Sequence, residues 1–298
     1  MSAFASKHVD AGGLRTHYLE AGTGEPGAPP LVLIHGGGAG ADSVGNWAST
    51  IPAFARHFRV LALDMVGFGG SGKPDPAGFE YSQAARVAHL RAFLDALQIE
   101  RAAFIGNSMG GCTALGLAVE SPQRVSRLVL MGSAGLNTTL HADLMPVINY
   151  DFTREGMVRL IRALTHPGFE PDPQLVDYRL GKSLEPDTRA AYGATMKWIK
   201  QQGGLFYAPE FIARVACPTL VVNGKDDKVV PLANAYRFLE LQPRFWLLTR
   251  LFLLRRGLRR LGPAAVRTGI GVSRHGTPPR QFGAWRRRRR QGASPWWG

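Results

Sequence analysis

Apolar runs of strand length, THYLEAG, LVLIHGG, RVLALDM, AAFIGNS, RLVLMGS and TLVVNGKDD, recur along the chain with helix-patterned segments between most of them, and this alternation limits the fold more than any other feature. The segments NWASTIPAFARHF, SQAARVAHLRAFLDALQI and SMGGCTALGLAVESPQR place apolar residues at helical spacing. Parallel neighbours in a sheet need a crossover connection, so the order predicts an α/β fold, a mainly parallel sheet with helices on both faces. Ligands on such sheets sit beyond the carboxyl ends of the strands. From about 134 to 207 the strand pattern stops, and helical segments broken at Pro167, Pro171 and Pro173 take over. The expected division is a first core part (1–133), an inserted helical lid (134–207), a second core part (208–242) and a tail (243–298). A helical decoration without a part in binding is the other reading of the insertion.

Small residues gather at the strand ends. Gly106-Asn107-Ser108-Met109-Gly110 follows the strand AAFIG and opens a helix, the context in which G-x-S-x-G makes a strained turn that thrusts a serine oxygen clear of the backbone. Glycine at 106 and 110 keeps side chains out of that turn. His35-Gly36-Gly37-Gly38 follows the strand LVLI, and an amide of this loop together with that of Met109 suits a developing oxyanion. His35 itself reads as structural. After TLVVN, Gly224-Lys225-Asp226-Asp227 offers a carboxylate to orient an imidazole base. Asp227 is assigned that part, with Asp226 as the alternative.

Composition narrows the class. Of the 36 Lys+Arg, 14 are arginines of residues 243–298, a stretch with no acidic residue, so the remaining 22 balance the 22 Asp+Glu upstream. The net charge of +14 therefore belongs to the tail and is no mark of a nucleic-acid-binding core. The N-terminus lacks the basic start and apolar run of a secretion signal, and FWLLTRLFLL, interrupted by Arg250, is too short to cross a bilayer; a cytoplasmic protein is expected. Cys112 and Cys217 lie far apart in apolar surroundings and read as buried thiols.

HGGG, GNSMGG and GKDDKVVP in this order resemble the α/β-hydrolase superfamily. Within it, LVLIHGGGAGADSVGNW, VLALDMVGFGGSGKP, IGNSMGGCTALGLAVESPQRVSRLVLMGSAG and VDYR are similar to the meta-cleavage-product hydrolases, from about residue 8 to 242. The resemblance implies hydrolysis of a carbon–carbon bond in 2-hydroxy-6-oxohexa-2,4-dienoates produced by aromatic ring cleavage. It implies a small acidic dienoate as substrate, a homo-oligomer, and neither metal nor cofactor. It makes Ser108 the nucleophile or its hydrogen-bonding equivalent, Asp227 the orienter of a histidine, and Gly37, Gly38 and Met109 the oxyanion site. Asn46 and Asn107 match positions that hold the dienoate, and Arg179 one that pairs with its carboxylate or enol oxygen. An ester or lactone hydrolase of the same fold is the runner-up. A binding module for polyanions, using the tail arginines with Trp285, Trp296 and Trp297, is the reading from another class.

One expected part is missing. The family's base lies in a loop after one further strand, usually as G-H-W, and here that region reads RLFLLRRGLRRLGP, without a histidine. His275, in VSRHGTPP, is the only one after Asp227 and suits the place poorly; His8, His17, His35, His57, His89, His141 and His166 all precede the acid. Leu247, Leu251, Leu254, Leu258 and Leu261 recur at steps of four and three, which predicts a basic amphipathic helix over 244–261 instead of a final strand, then coil through Arg286 to Arg290. The Arg, Gly, Pro, Ala and Trp content of the tail fits a shifted reading frame in a G+C-rich gene. Translating the other two frames past codon 242 is expected to restore a G-H-W loop and a closing helix; if neither frame does, the shifted frame is wrong.

Overall fold

The structure is a computed structural model that describes residues 4–242 and 244–250. Its strands are β1 (Ala5–Asp10), β2 (Arg15–Ala21), β3 (Leu31–Ile34), β4 (Val60–Leu63), β5 (Ala102–Asn107), β6 (Val125–Met131), β7 (Leu136–Asn137), β8 (Leu205–Phe206), β9 (Thr219–Gly224) and β10 (Phe245–Arg250). Between them lie the helices α1 (Ser43–Trp47), α2 (Ile51–Phe54), α3 (Gln83–Ala96), α4 (Met109–Glu120), α5 (Met145–Ile148), α6 (Arg154–Ala163), α7 (Pro173–Leu184), α8 (Pro186–Gln202), α9 (Pro209–Ile212) and α10 (Leu232–Leu241). Eight strands form one sheet in the order β1-β2-β4-β3-β5-β6-β9-β10, with β7 and β8 paired separately. The β1–β2 and β2–β4 pairings are antiparallel and the rest of the large sheet is parallel. This is the mainly parallel α/β architecture that the alternation predicts.

The two faces of the sheet are both covered, which is why LVLI and VLAL are continuously apolar instead of alternating. Val32, Ile34, Leu61 and Leu63 join Leu90 and Phe93 of α3 and Leu115 of α4 in one cluster. Their neighbours Leu31, Leu33, Val60 and Ala62 point the other way, onto Trp47 and Ile51 of the short helices. The elements between β6 and β9 share the first of these clusters through Met157, Leu160, Ile161, Val176 and Met196. Among the described residues no helix is long and apolar enough to cross a membrane, and both cysteines are buried and unpaired.

The expected helix over 244–261 is corrected at its start. Residues Phe245–Arg250 are a strand, parallel to β9, with Phe245 paired with Thr219 and Arg250 with Gly224. Phe245 and Leu247 are buried while Trp246 and Leu248 are half-buried, a period of two that the sheet imposes on FWLLTR before the leucine spacing of a helix can operate. The sheet therefore continues past 242, with a further strand after β9. Residues 251–261, His275, Arg286 to Arg290 and the three tail tryptophans lie outside the described residues.

A buried carboxylate ties the antiparallel end of the sheet to the loop after β4. Asp64 is almost fully buried, and its oxygens accept from the amides of Ser43 (2.6 Å) and Gly70 (2.8 Å) and from His17 Nδ1 (2.7 Å). Burial by itself would raise its pKa, but the His17 hydrogen bond, the nearby His35 and these amides overcome that and hold it at about 2. A carboxyl group depressed in the folded state stabilises the fold above its unfolded pKa and stops doing so as the pH falls through the folded value. Equilibrium unfolding followed from pH 6 to pH 2 should lose about 2 kcal/mol from this group, mostly below about pH 4. In Asp64→Asn that part of the acid dependence should be absent.

Candidate active site

Ser108 stands between β5 and α4 with φ +51° and ψ −116°, a conformation that non-glycine residues seldom adopt and that costs about 1–3 kcal/mol. Its surroundings leave it no other. A Cβ on Gly106 would lie 2.5 Å from the carbonyl oxygen of Gly110, and one on Gly110 would lie 2.5 Å from the carbonyl oxygens of Ile34 and His35. The Ser108 amide donates to Met131 O (3.0 Å), and its carbonyl accepts from Gly111 (3.0 Å), Cys112 (3.2 Å) and Ala134 (3.2 Å). The backbone is thus fully engaged, while the half-buried hydroxyl makes no hydrogen bond among the described residues.

The amides of Gly37, Gly38 and Met109 donate to no protein acceptor among the described residues. Met109 is the first residue of α4, where orphan N–H groups and the positive end of the helix dipole coincide. Gly37 packs on it so closely that a Cβ there would sit 2.7 Å from Met109 Cε. His35 does serve structure. Its Nδ1 donates to Gly36 O (2.7 Å), which leaves Nε2 as the acceptor for the Met65 amide (3.0 Å). Beside the serine, Asn46 Nδ2 donates to Asn107 Oδ1 (3.3 Å), and Asn107 Nδ2 donates to Met131 O (3.1 Å).

Arg179, on α7, reaches the same loop. Its Nε and Nη2 donate to Ala39 O (3.0 and 2.8 Å), and Nη2 lies 2.6 Å from where a Cβ on Gly38 would be. Burial lowers its pKa, but no carboxylate of the described residues pairs with it. The helix is fastened by contacts that sequence reasoning missed. Tyr178 donates a short hydrogen bond to buried Asp42, whose other oxygen caps α1 through the Gly45 amide (2.7 Å), and Lys182 Nζ lies 3.7 Å from the same carboxylate. Gly40, at φ +65°, packs against the Arg179 backbone with no room for a side chain. Tyr178 adjoins Arg179 in VDYR and Asp42 precedes a helix start, yet nothing in the sequence joins two residues 136 positions apart.

Asp227 Oδ1 accepts from the amides of Val229 (3.0 Å) and Val230 (2.8 Å), while Oδ2 faces Gly132, where a Cβ would be 3.4 Å away. Burial pushes its pKa up, and the two amides oppose that. Asp226 is exposed. The register of β10 brings Arg250 beside Gly224, so the last described residue lies next to the Asp227 loop. Among the described residues no histidine bonds to Ser108 or Asp227. His17 is held by Asp64 and Ser6, and His89 by Val66 N and Thr16 Oγ1, with burial lowering its pKa to about 4. His8, His57, His141 and His166 are exposed.

Residues 29–251 match the family model described as alpha/beta hydrolase fold. The 2-hydroxy-6-oxo-6-(2'-aminophenyl)hexa-2,4-dienoic acid hydrolase of Metapseudomonas resinovorans is 54% identical over 246 residues, 82% of each chain. The 2-hydroxy-6-oxo-2,4-heptadienoate hydrolase of Pseudomonas putida is 33% identical, over 81% of this chain and 86% of its own. A crystal structure of a serine hydrolase involved in carbazole degradation superposes with a TM-score of 0.74 at 51% identity, covering 83% of this chain and 90% of that one.

The packing around the elbow makes a stability prediction. Gly110→Ala drives a methyl group into two backbone carbonyls that are themselves fixed in the sheet, and should cost about 2 kcal/mol or more in urea unfolding. An unchanged midpoint would mean that α4 does not cross the His35 strand end this closely.

Proposed function

The chain belongs to the α/β-hydrolase fold family, and from that premise we propose that it is built to hydrolyse 2-hydroxy-6-oxohexa-2,4-dienoates at a carbon–carbon bond, with Ser108 at the reacting carbonyl. The observation that carries this reading is the convergence of a turned-out, unbonded serine hydroxyl, three unused amides and a guanidinium lying on the amide loop. An acidic dienoate with a distal ketone needs those three things together: a nucleophile or hydrogen-bond partner for water, donors for the oxyanion, and a cation for the carboxylate end. Relatives named as dienoate hydrolases support the same substrate class.

In this proposal the dienol first takes a proton on carbon to become the keto form. The C6 carbonyl is then attacked with Ser108 assisting, and its oxygen gathers charge toward Gly37, Gly38 and Met109. The C5–C6 bond breaks, its electron pair passes through the C3–C4 double bond to the C2 oxygen, which takes a proton, and water supplies the hydroxyl of the released acid, so that a carboxylic acid and a 2-hydroxypenta-2,4-dienoate leave. Asn46 and Asn107 hold the dienoate chain, and Arg179 offers its unused nitrogen to the carboxylate or enol oxygen. The elements of residues 134–207 act as the lid. The aryl-substituted dienoate is the favoured substrate, because the relative of higher identity is named for one.

The proton acceptor is the weak point of the chain as it stands. Asp227 has one carboxylate oxygen without a partner among the described residues, and the sequence from Leu251 on, where the family's base is expected, carries no histidine before His275. Without that base a serine hydroxyl is a poor nucleophile at neutral pH. We therefore expect slow turnover. Replacing residues 251–298 with the corresponding segment of the Metapseudomonas resinovorans relative should raise the rate on the 6-(2'-aminophenyl) dienoate by about 10³ or more, and Ser108→Ala in the replaced chain should remove the gain. A folded hybrid that cleaves aryl esters and leaves dienoates untouched would favour the ester hydrolase reading instead.

A further inference from the structure

A cavity of about 390 Å³ opens among the inserted helices, and none of Ser108, Asn46, Asn107, Arg179 or Asp227 lines it. Part of its wall is aromatic. Tyr150 lies 4.8 Å from Phe152 and 6.3 Å from Tyr192 between ring centroids, and the two tyrosine hydroxyls are tied down, to Ser183 and to Val147 O. The rings are therefore fixed faces, with their polar ends already satisfied. Part of the wall is cationic. Lys197 and Lys200 stand one turn apart on α8, both exposed, and neither side-chain ammonium makes an ion pair or hydrogen bond among the described residues.

The charges around this cavity have one sign. No lining residue is acidic, and Asp151, next in sequence to Tyr150, is occupied by Arg159 and Thr153. Arg189 lies 4.5 Å over the Phe152 ring. Two like charges at this helical spacing repel each other slightly, and an anion between them removes that repulsion. Fixed aromatic faces beside two uncompensated ammonium groups, in a space of ligand size, select a flat ring that carries a negative group.

We propose that this cavity binds an aromatic monocarboxylate, its ring against Tyr150, Phe152 and Tyr192 and its carboxylate between Lys197 and Lys200. The site stands on its own walls. One consequence rests on the function proposed above: an aryl-substituted dienoate releases an acid of this class on hydrolysis, so the lid carries a place for the product apart from the reacting centre.

Titration of the full chain into 2-aminobenzoate, followed by the ligand's own fluorescence, should give saturable binding. Lys197→Gln with Lys200→Gln should weaken it roughly tenfold, a loss of about 1.4 kcal/mol, while the paired arginine substitutions retain it. Aniline, with the ring and no carboxylate, should not bind. Because Arg179 is another cation, the titration is repeated in Arg179→Gln, where binding should persist and still depend on the lysines. Absence of saturable binding, indifference to the lysine substitutions, or disappearance of all binding in Arg179→Gln each overturns the assignment. All the substituted lysines are exposed, and circular dichroism checks that the variants fold. Dienoate turnover plays no part in the readout, so failure here and failure of the proposed reaction are separate results.

Discussion

The left-handed backbone of Ser108 is the constraint on which the rest of the site depends. It is tolerated because the amide and carbonyl of that residue are bonded on both sides, to β6 and to the first turn of α4. Once the chain is forced through that conformation, several other features follow. The helix must begin at once, which leaves the Met109 amide without a partner, and it must cross the end of β3 at a distance only Gly110 allows. That crossing brings the His35 loop against Met109, and the unused amides of Gly37 and Gly38 come with it. The strain of one residue is thereby converted into a fixed arrangement of donors.

The inserted helices are attached to this arrangement, not merely laid over it. Arg179 spends two nitrogens on the carbonyl of Ala39, and Tyr178 and Lys182 address the carboxylate that starts α1, the helix carrying Asn46. A displacement of α7 therefore moves both the amide loop and the asparagine. Asp227 shows the same economy, with one oxygen held by two backbone amides and the other without a partner among the described residues.

Much of this was legible in the sequence because it is local. The glycines of GNSMGG report crowding within a few residues, the strand runs report double-sided burial, and Asp227 followed by KVVP reads as a loop carboxylate. What could not be read is long-range or ambiguous. Asp42 and Tyr178 meet only through the folded insertion, and the partnership of Asp64 with His17 depends on an antiparallel hairpin packed against a later loop. FWLLTR was misjudged for a different reason: six residues with leucine in them fit a helix face or a strand equally well, and only the open edge of β9 decides between them. Arg179, recognised by resemblance, shows nothing in its own neighbours in sequence that separates it from other helical arginines.

The pairing of β6 with β9 carries a consequence of its own. Everything from Gly132 to Pro218 departs from and returns to two strands that lie side by side, with Leu128 opposite Thr219 and Met131 opposite Val222. The excursion is closed at its base by the sheet itself, so its length is loosely constrained, while its buried residues such as Leu160 and Met196 must still fit the core they share with the strands. The insertion is therefore an exchangeable part: transplanting one from a relative changes what lies over the strand ends while the turn at Ser108 stays where it was, provided the newcomer brings its own grip on Ala39 and Asp42.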